Sequence, residues 1–180
     1  MIDTVLNDAD GCMRALATRV VEENRAAGRT IALAESCTGG MIATALTDVP
    51  GSSDVLLAGF VTYADAAKHR MLGVGREIIE TFGSVSVACA WAMAAGAVSR
   101  GDADIAVAVS GIAGPGGGRE GKPVGTVVFS RVLRGQSPDD AYAEMKNFDP
   151  AGSRADIRRQ ATLFALELLL PEKDALRSPA

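Results

Sequence analysis

Apolar residues recur at Val5, Ala9, Met13, Leu16 and Val20, a helical spacing that predicts one long helix over Asp3 to Ala27, closed by Gly28. The pattern then shortens. Ile31 to Ala34 is a compact apolar run, read as a strand, and Met41 to Val49 is an Ala-rich helix stopped by Pro50-Gly51. Val55 to Tyr63, with Leu56, Leu57, Phe60 and Val61, predicts a second strand. Asp65 to Leu72 and Glu77 to Phe82 read as short helices separated by Gly73 and Gly75. Ser86 to Arg100 is rich in alanine, with Trp91, Met93 and Gly96, and predicts a closely packed internal helix capped by Ser86. Ile105 to Ser110 and Val124 to Leu133 are strands, and Tyr142 to Phe148 alternates weakly enough to suit a sheet edge. Arg154 to Leu170 places Ile157, Ala161, Phe164 and Leu168 on one face and stops at Pro171.

Strands interleaved with helices imply an α/β domain, a three-layer α/β/α sandwich around a mixed, mostly parallel sheet. The last two strands, joined through Gly135 to Asp140, supply its antiparallel portion. No repeat or linker divides the chain, so residues 1–180 are expected to form one domain, with 172–180 a polar, fraying tail.

Composition narrows the function. A net charge of −4 does not favour nucleic acid or an anionic membrane surface as partner. No apolar run is long enough to span a bilayer, and Met1 to Asp10 has no basic segment of a signal peptide, so a cytoplasmic location is expected. Cys12, Cys37 and Cys89 are widely spaced and His69 is the single histidine. Neither a zinc site, another metal or cofactor, nor a disulfide framework is expected from that set. A Ser-His-Asp triad would depend wholly on His69, so a nucleophile here calls for another base.

The segment Ala34-Glu35-Ser36-Cys37-Thr38-Gly39-Gly40 reads as strand, tight turn, helix. A hydroxyl there lies beside the unpaired N–H groups of a helix start, where anions are stabilised. The structural alternative is that Ser36 or Thr38 merely caps the helix. Ligands gather at the carboxyl ends of strands in open α/β sheets, and Tyr63 and Ser110-Gly111 fall at two other such ends. Lys68 follows Tyr63 by five residues. Ser36, Tyr63 and Lys68 make a workable nucleophile set, because a serine needs a base to take its proton and a neutral lysine can do so. Tyr63 would relay the proton or orient the lysine; taken singly, Tyr63, Lys68 and His69 read as ordinary surface or core-edge residues.

Ser110 to Gly118 is a glycine-rich loop whose successive N–H groups suit a phosphate or carboxylate. Gly116 to Lys122 satisfies G-x-x-x-x-G-K, but Pro123 follows and the segment enters a strand, so it is not a nucleotide-triphosphate loop. Arg154, Arg158 and Arg159 open the last helix against its dipole, which suits an anion facing one of them; Asp156 offers a counter-charge.

Taken together these segments closely resemble the CinA C-terminal domain family, whose enzymatic members are nicotinamide-nucleotide amidases. The matching stretches are Ala34 to Gly40, Val49-Pro50-Gly51-Ser52-Ser53, Val61-Thr62-Tyr63 through Lys68, Leu72-Gly73-Val74, Gly83-Ser84-Val85-Ser86, Gly111 to Pro115 and Lys122 to Val127. The resemblance implies hydrolysis of the carboxamide of nicotinamide mononucleotide to nicotinic acid mononucleotide and ammonia. It implies functional roles for Ser36, Tyr63 and Lys68, then for Ser110 and an arginine near Arg154. Serine stands at 110 where the family usually has threonine, and Asp149 to Arg154 replaces a usual Gly-Asp-Arg, which leaves Arg154 and Arg158 both as candidates.

The expected chemistry is attack by Ser36 with Lys68 as base, oxyanion donors around Thr38, Gly39 and Gly40, and substrate binding by Ser110, Gly111, Gly114 and Arg154. A small-molecule nucleotide is the expected partner, and the Ala-rich helices suit a homodimer. Two other classes stay open: a nucleotide-binding or interaction module with little or no catalysis, and a cysteine amidase using Cys37.

Overall fold

Every residue of the first strand, Ile-Ala-Leu-Ala-Glu, is buried. A strand covered on both faces belongs in the middle of a sheet with helices above and below. The computed structural model describes residues 2–149 and 151–173 and shows that arrangement. The elements run α1 (Ile2–Ala26), β1 (Ile31–Glu35), α2 (Met41–Thr47), β2 (Leu56–Val61), α3 (Asp65–Leu72), α4 (Arg76–Phe82), α5 (Val87–Gly101), β3 (Ile105–Gly111), β4 (Thr126–Leu133), β5 (Tyr142–Asn147) and α6 (Arg154–Leu168). The sheet order is β2-β1-β3-β4-β5. β1 pairs parallel with β2 and β3, while β4 is antiparallel to both β3 and β5. Four of the five strands therefore share one direction and β4 alone opposes them.

Alternation along β1 builds two different cores. Ile31 and Leu33 face large residues of α1, α2 and α6, among them Val20, Ile42, Leu46, Ile157 and Leu166. Ala32 and Ala34 face α5 and α3 through Cys89, Met93, Ala94, Ala97 and Leu72. Small residues on that second face let α5 lie close to the sheet: a Cβ on Gly101 would stand 2.9 Å from the Ala32 Cβ. The same alternation continues past the strand. Glu35 shares the α2 side with Leu33, and Ser36 shares the α5 side with Ala34.

Boundaries shift by a residue or two where turns intrude. β4 begins at Thr126, because Gly125 turns at φ 95° and exchanges backbone bonds with Ile112 and Phe148. The glycine-rich connection from β3 to β4 holds one isolated bridge, Arg119 to Lys122. Lys122 pins that loop by donating to the carbonyls of Phe82 (3.1 Å) and Val85 (2.6 Å). At the C-terminal end, Pro171–Lys173 forms a 3-10 turn whose Lys173 carbonyl accepts from Arg131, where fraying was expected from Glu172 onward. The remainder of that expected tail, 174–180, lies outside the described residues. Among the described residues no helix is long and apolar enough to cross a membrane.

Candidate active site at the strand ends

Ser36 leaves β1 with its N–H bonded to the Val109 carbonyl of β3 at 2.9 Å, so the nucleophile candidate is anchored to the sheet. On the neighbouring strand Thr62 donates its N–H to the Glu35 carbonyl at 2.8 Å, and α3 starts three residues later. That helix sends Lys68 back under the strand ends, where it is almost wholly buried. Lys68 Nζ lies 3.3 Å from Ser36 Oγ, 3.0 Å from the Thr62 carbonyl and 3.4 Å from the Tyr63 carbonyl. Asp65 Oδ1, one helical turn earlier, is 3.5 Å away. Lys68 Nζ thus donates toward two backbone carbonyls and the Ser36 hydroxyl, with the Asp65 carboxylate as its ionic partner. Asp65 escaped the sequence reading, although its (i, i+3) spacing to Lys68 on a helix was a signal.

Tyr63 lies elsewhere in the cluster. Its ring is exposed, and its hydroxyl accepts from Arg154 at 2.7 Å, with no bond to Lys68 or Ser36. Arg154 also donates to the Gly114 carbonyl at 2.7 Å, tying the glycine-rich loop to the end of β2. Ser110 is buried and donates to the Ser84 carbonyl at 2.7 Å, so its proton is committed to the protein. Gly111 meets a packing demand: a Cβ there would stand 2.8 Å from the Thr126 carbonyl oxygen of β4.

The helix start is occupied. Fully buried Glu35 accepts N–H bonds from Gly40 (2.9 Å), Ile42 (3.2 Å) and Ala43 (2.9 Å). Neither Ser36 nor Thr38 caps α2, whose N-cap position is Gly40. Gly39 and Gly40 both have positive φ, 62° and 96°, which winds the turn tightly enough for Glu35 to reach those donors. The expected oxyanion donors are therefore corrected: the Gly40 N–H belongs to Glu35, and the Gly39 N–H bonds the Ser36 carbonyl at 3.1 Å. The Thr38 N–H has no acceptor among the described residues.

Arg158 reaches the turn from the other side. Its Nε donates to the Cys37 carbonyl at 3.0 Å and its Nη2 to the Thr38 carbonyl at 2.8 Å. Both arginines are aimed by one local device, since Ser153 and Asp156 form a capping box that starts α6 at Arg154. Positions 154 and 158 then fall on one helix face. Ser153 also holds the Asp156 carboxyl below the usual range through its hydroxyl and N–H. Arg159 turns away and pairs with Asp156 at 3.2 Å.

Sulfur is not activated here. Burial pushes the Cys37 thiol up to about 12, with its own N–H, Arg154 and Arg158 acting the other way. Burial likewise raises Cys89, beside Lys68 in the α5 core, to about 11. Thiols so raised carry almost no nucleophilic thiolate near neutrality. A cavity of about 270 Å³ between α3 and α4 is lined by Asp65, His69, Arg70, Arg76 and Ile79 among others. It touches the Ser36–Lys68 pair only through Asp65.

Residues 13–172 match the family profile described as CinA C-terminal domain. A CinA-like protein of Mycobacterium avium is 53% identical over 143 residues, 79% of this chain and 33% of that protein. A competence-damage inducible protein of Symbiobacterium thermophilum is 48% identical, covering 79% of this chain and 34% of its own length. The chain thus spans about a third of the curated relatives it matches. Among solved structures, a competence/damage inducible protein of Agrobacterium tumefaciens superposes with a TM-score of 0.83 at 44% identity, covering 88% of this chain and 93% of that one. A CinA superfamily protein of Klebsiella pneumoniae gives 0.83 at 38% identity, covering 91% and 98%. The strand-end cluster is therefore carried on a shared scaffold, and the chain belongs to the CinA C-terminal domain family.

Proposed function

We propose that the chain is a nicotinamide-nucleotide amidase that converts the carboxamide of nicotinamide mononucleotide to the acid and ammonia. The observation that carries this reading is the buried 3.3 Å contact between Lys68 Nζ and Ser36 Oγ, made while two carbonyls hold the amine's other valences. Ser36 Oγ attacks the amide carbon as its proton passes to Lys68, and the Asp65 carboxylate meets the ammonium that forms. The Thr38 N–H faces the oxygen of the tetrahedral intermediate. Lys68 returns the proton to the departing nitrogen, which leaves as ammonia and an acyl ester on Ser36. A water molecule then attacks the ester, again losing its proton to Lys68, and the acid leaves as Ser36 recovers its hydrogen.

In this reading Arg154, which holds the Tyr63 hydroxyl and the Gly114 loop together, takes the substrate phosphate. No metal or cofactor takes part in this chemistry, and a nucleotide substrate is consistent with a cytoplasmic location. The relatives' names speak of competence and damage rather than of a reaction, which favours, as a second reading, a nucleotide-binding module without turnover.

Ammonia release from nicotinamide mononucleotide by the purified chain, beside free nicotinamide as control, separates the two. Ser36→Ala keeps the fold and abolishes release. Lys68→Arg, a cation that cannot act as base, lowers kcat by about 10²–10⁴ with little change in KM. A Ser36→Ala protein that retains most of its turnover refutes the assignment.

A further inference from the structure

Arg158 lies half-buried against the turn that follows the nucleophile, yet among the described residues its side chain has no anionic partner: both of its bonds go to backbone carbonyls. Peptide planarity gives those bonds a consequence. In a trans peptide the carbonyl and the next N–H point in opposite directions. Arg158 draws the Cys37 carbonyl toward α6, so the Thr38 N–H is turned away from α6, to the side that carries Ser36 and Lys68. Thr38 is fully buried, its N–H has no acceptor among the described residues, and its hydroxyl has none either. Buried donors without acceptors are rare and call for an explanation. The packing leaves room for the arginine and little else: a Cβ on Gly39 would stand 3.4 Å from Arg158 Nη2.

We infer that Arg158 is a positioning residue for the amidase reaction, its guanidinium locking the 37–38 peptide so that the Thr38 N–H is presented to the developing oxyanion. The inference rests on the amidase reading and adds to it the group that sets the oxyanion donor. Arginine suits the task because its planar fork engages two carbonyls at once, whereas a lysine ammonium holds them without fixed geometry.

The test compares wild type, Arg158→Lys and Arg158→Gln for kcat and KM on nicotinamide mononucleotide, and for the rate at which a fluorophosphonate probe phosphonylates Ser36. Loss of one oxyanion donor predicts a kcat about 100-fold lower in Arg158→Gln, with KM within about threefold of wild type. Arg158→Lys keeps the charge and the fold and is expected to recover only part of the rate, about tenfold below wild type. Phosphonylation slows in parallel, because the phosphoryl oxygen needs the same donor, and added guanidinium ion restores part of the Arg158→Gln rate. A folded Arg158→Lys protein with wild-type kcat and probe rate overturns the inference, and so does a raised KM at unchanged kcat, which marks an anion anchor. Should Arg158→Gln fail to fold, Arg158→Lys decides alone. Wild type that is phosphonylated at Ser36 but inert toward nicotinamide mononucleotide sinks the substrate assignment, while the probe rates still judge the arginine.

Discussion

Glu35→Gln removes one oxygen acceptor from a fully buried site and changes nothing in size. Two of the three N–H groups it serves, Gly40 and Ile42, share Oε2, and Ala43 uses Oε1. The amide oxygen of glutamine does best facing the pair, which leaves its NH₂ against the Ala43 N–H. One hydrogen bond to a charged group, worth about 1.5–3 kcal/mol, is lost, and a buried N–H left without an acceptor costs about 1–3 kcal/mol more. The expected loss of stability is therefore about 2.5–6 kcal/mol, or on the order of 10 °C in Tm for a domain of this length. Urea unfolding followed by far-UV circular dichroism measures it, as a lower midpoint at unchanged m. Turnover falls as well, since Ser36 is the next residue and the turn it stands on is fastened by these bonds. A loss below about 1 kcal/mol would refute the idea that this carboxylate holds the start of α2.

Two further outcomes follow from the same geometry. Tyr63→Phe deletes a hydroxyl bonded to Arg154 and not to Lys68, so initial-rate kinetics are expected to show KM raised about fivefold with kcat within about twofold; a collapse of kcat with KM unchanged would instead make the phenol a proton relay. Alkali tests Cys37, whose thiol is raised from 9.0 to about 12 in the fold. The folded state then holds a proton that the unfolded chain gives up, so this contribution is complete below pH 9 and fades as pH climbs toward 12. At pH 10 roughly 1 kcal/mol is gone, and urea midpoints measured from pH 8 to 10 should fall less steeply in Cys37→Ala. Equal slopes in the two proteins would contradict the assignment, and loss of ammonia release in Cys37→Ala would return the sulfur to the chemistry.

The fold was legible because its signals are local and agree with one another. Gly28, Pro50-Gly51, Gly73, Gly83 and Pro171 punctuate the chain at element ends, and the periods between them change cleanly. The meeting of Ser36 with Lys68 was legible for a related reason, as each follows a strand end and parallel strand ends converge. What escaped the sequence was the use made of each polar group. Glu35 reads as the last residue of a strand, and only the pleat shows that it falls on the α2 face while Ser36 falls on the other. Gly39 and Gly40 read as oxyanion donors, whereas their φ values let the Glu35 carboxylate cap the helix.

Arg158 shows why such assignments resist a reading by residue type. An arginine at a helix start suggests an anion, because the dipole there is unfavourable to it. In the fold the anion is replaced by two carbonyl oxygens of a turn more than a hundred residues away in sequence, and no spacing rule connects them. The capping box at Ser153 and Asp156 is the one local feature that bears on it. It fixes the first residue of α6, hence the phase of the helix, hence the side on which both Arg154 and Arg158 emerge. Moving the helix start by one residue would rotate both arginines by about 100°, breaking the Arg154 bridge to Tyr63 and the Arg158 clamp together. The strand-end site is therefore built by two helix starts: Glu35 satisfies the N–H groups of α2, and the start of α6 sets where its guanidinium groups meet the turn.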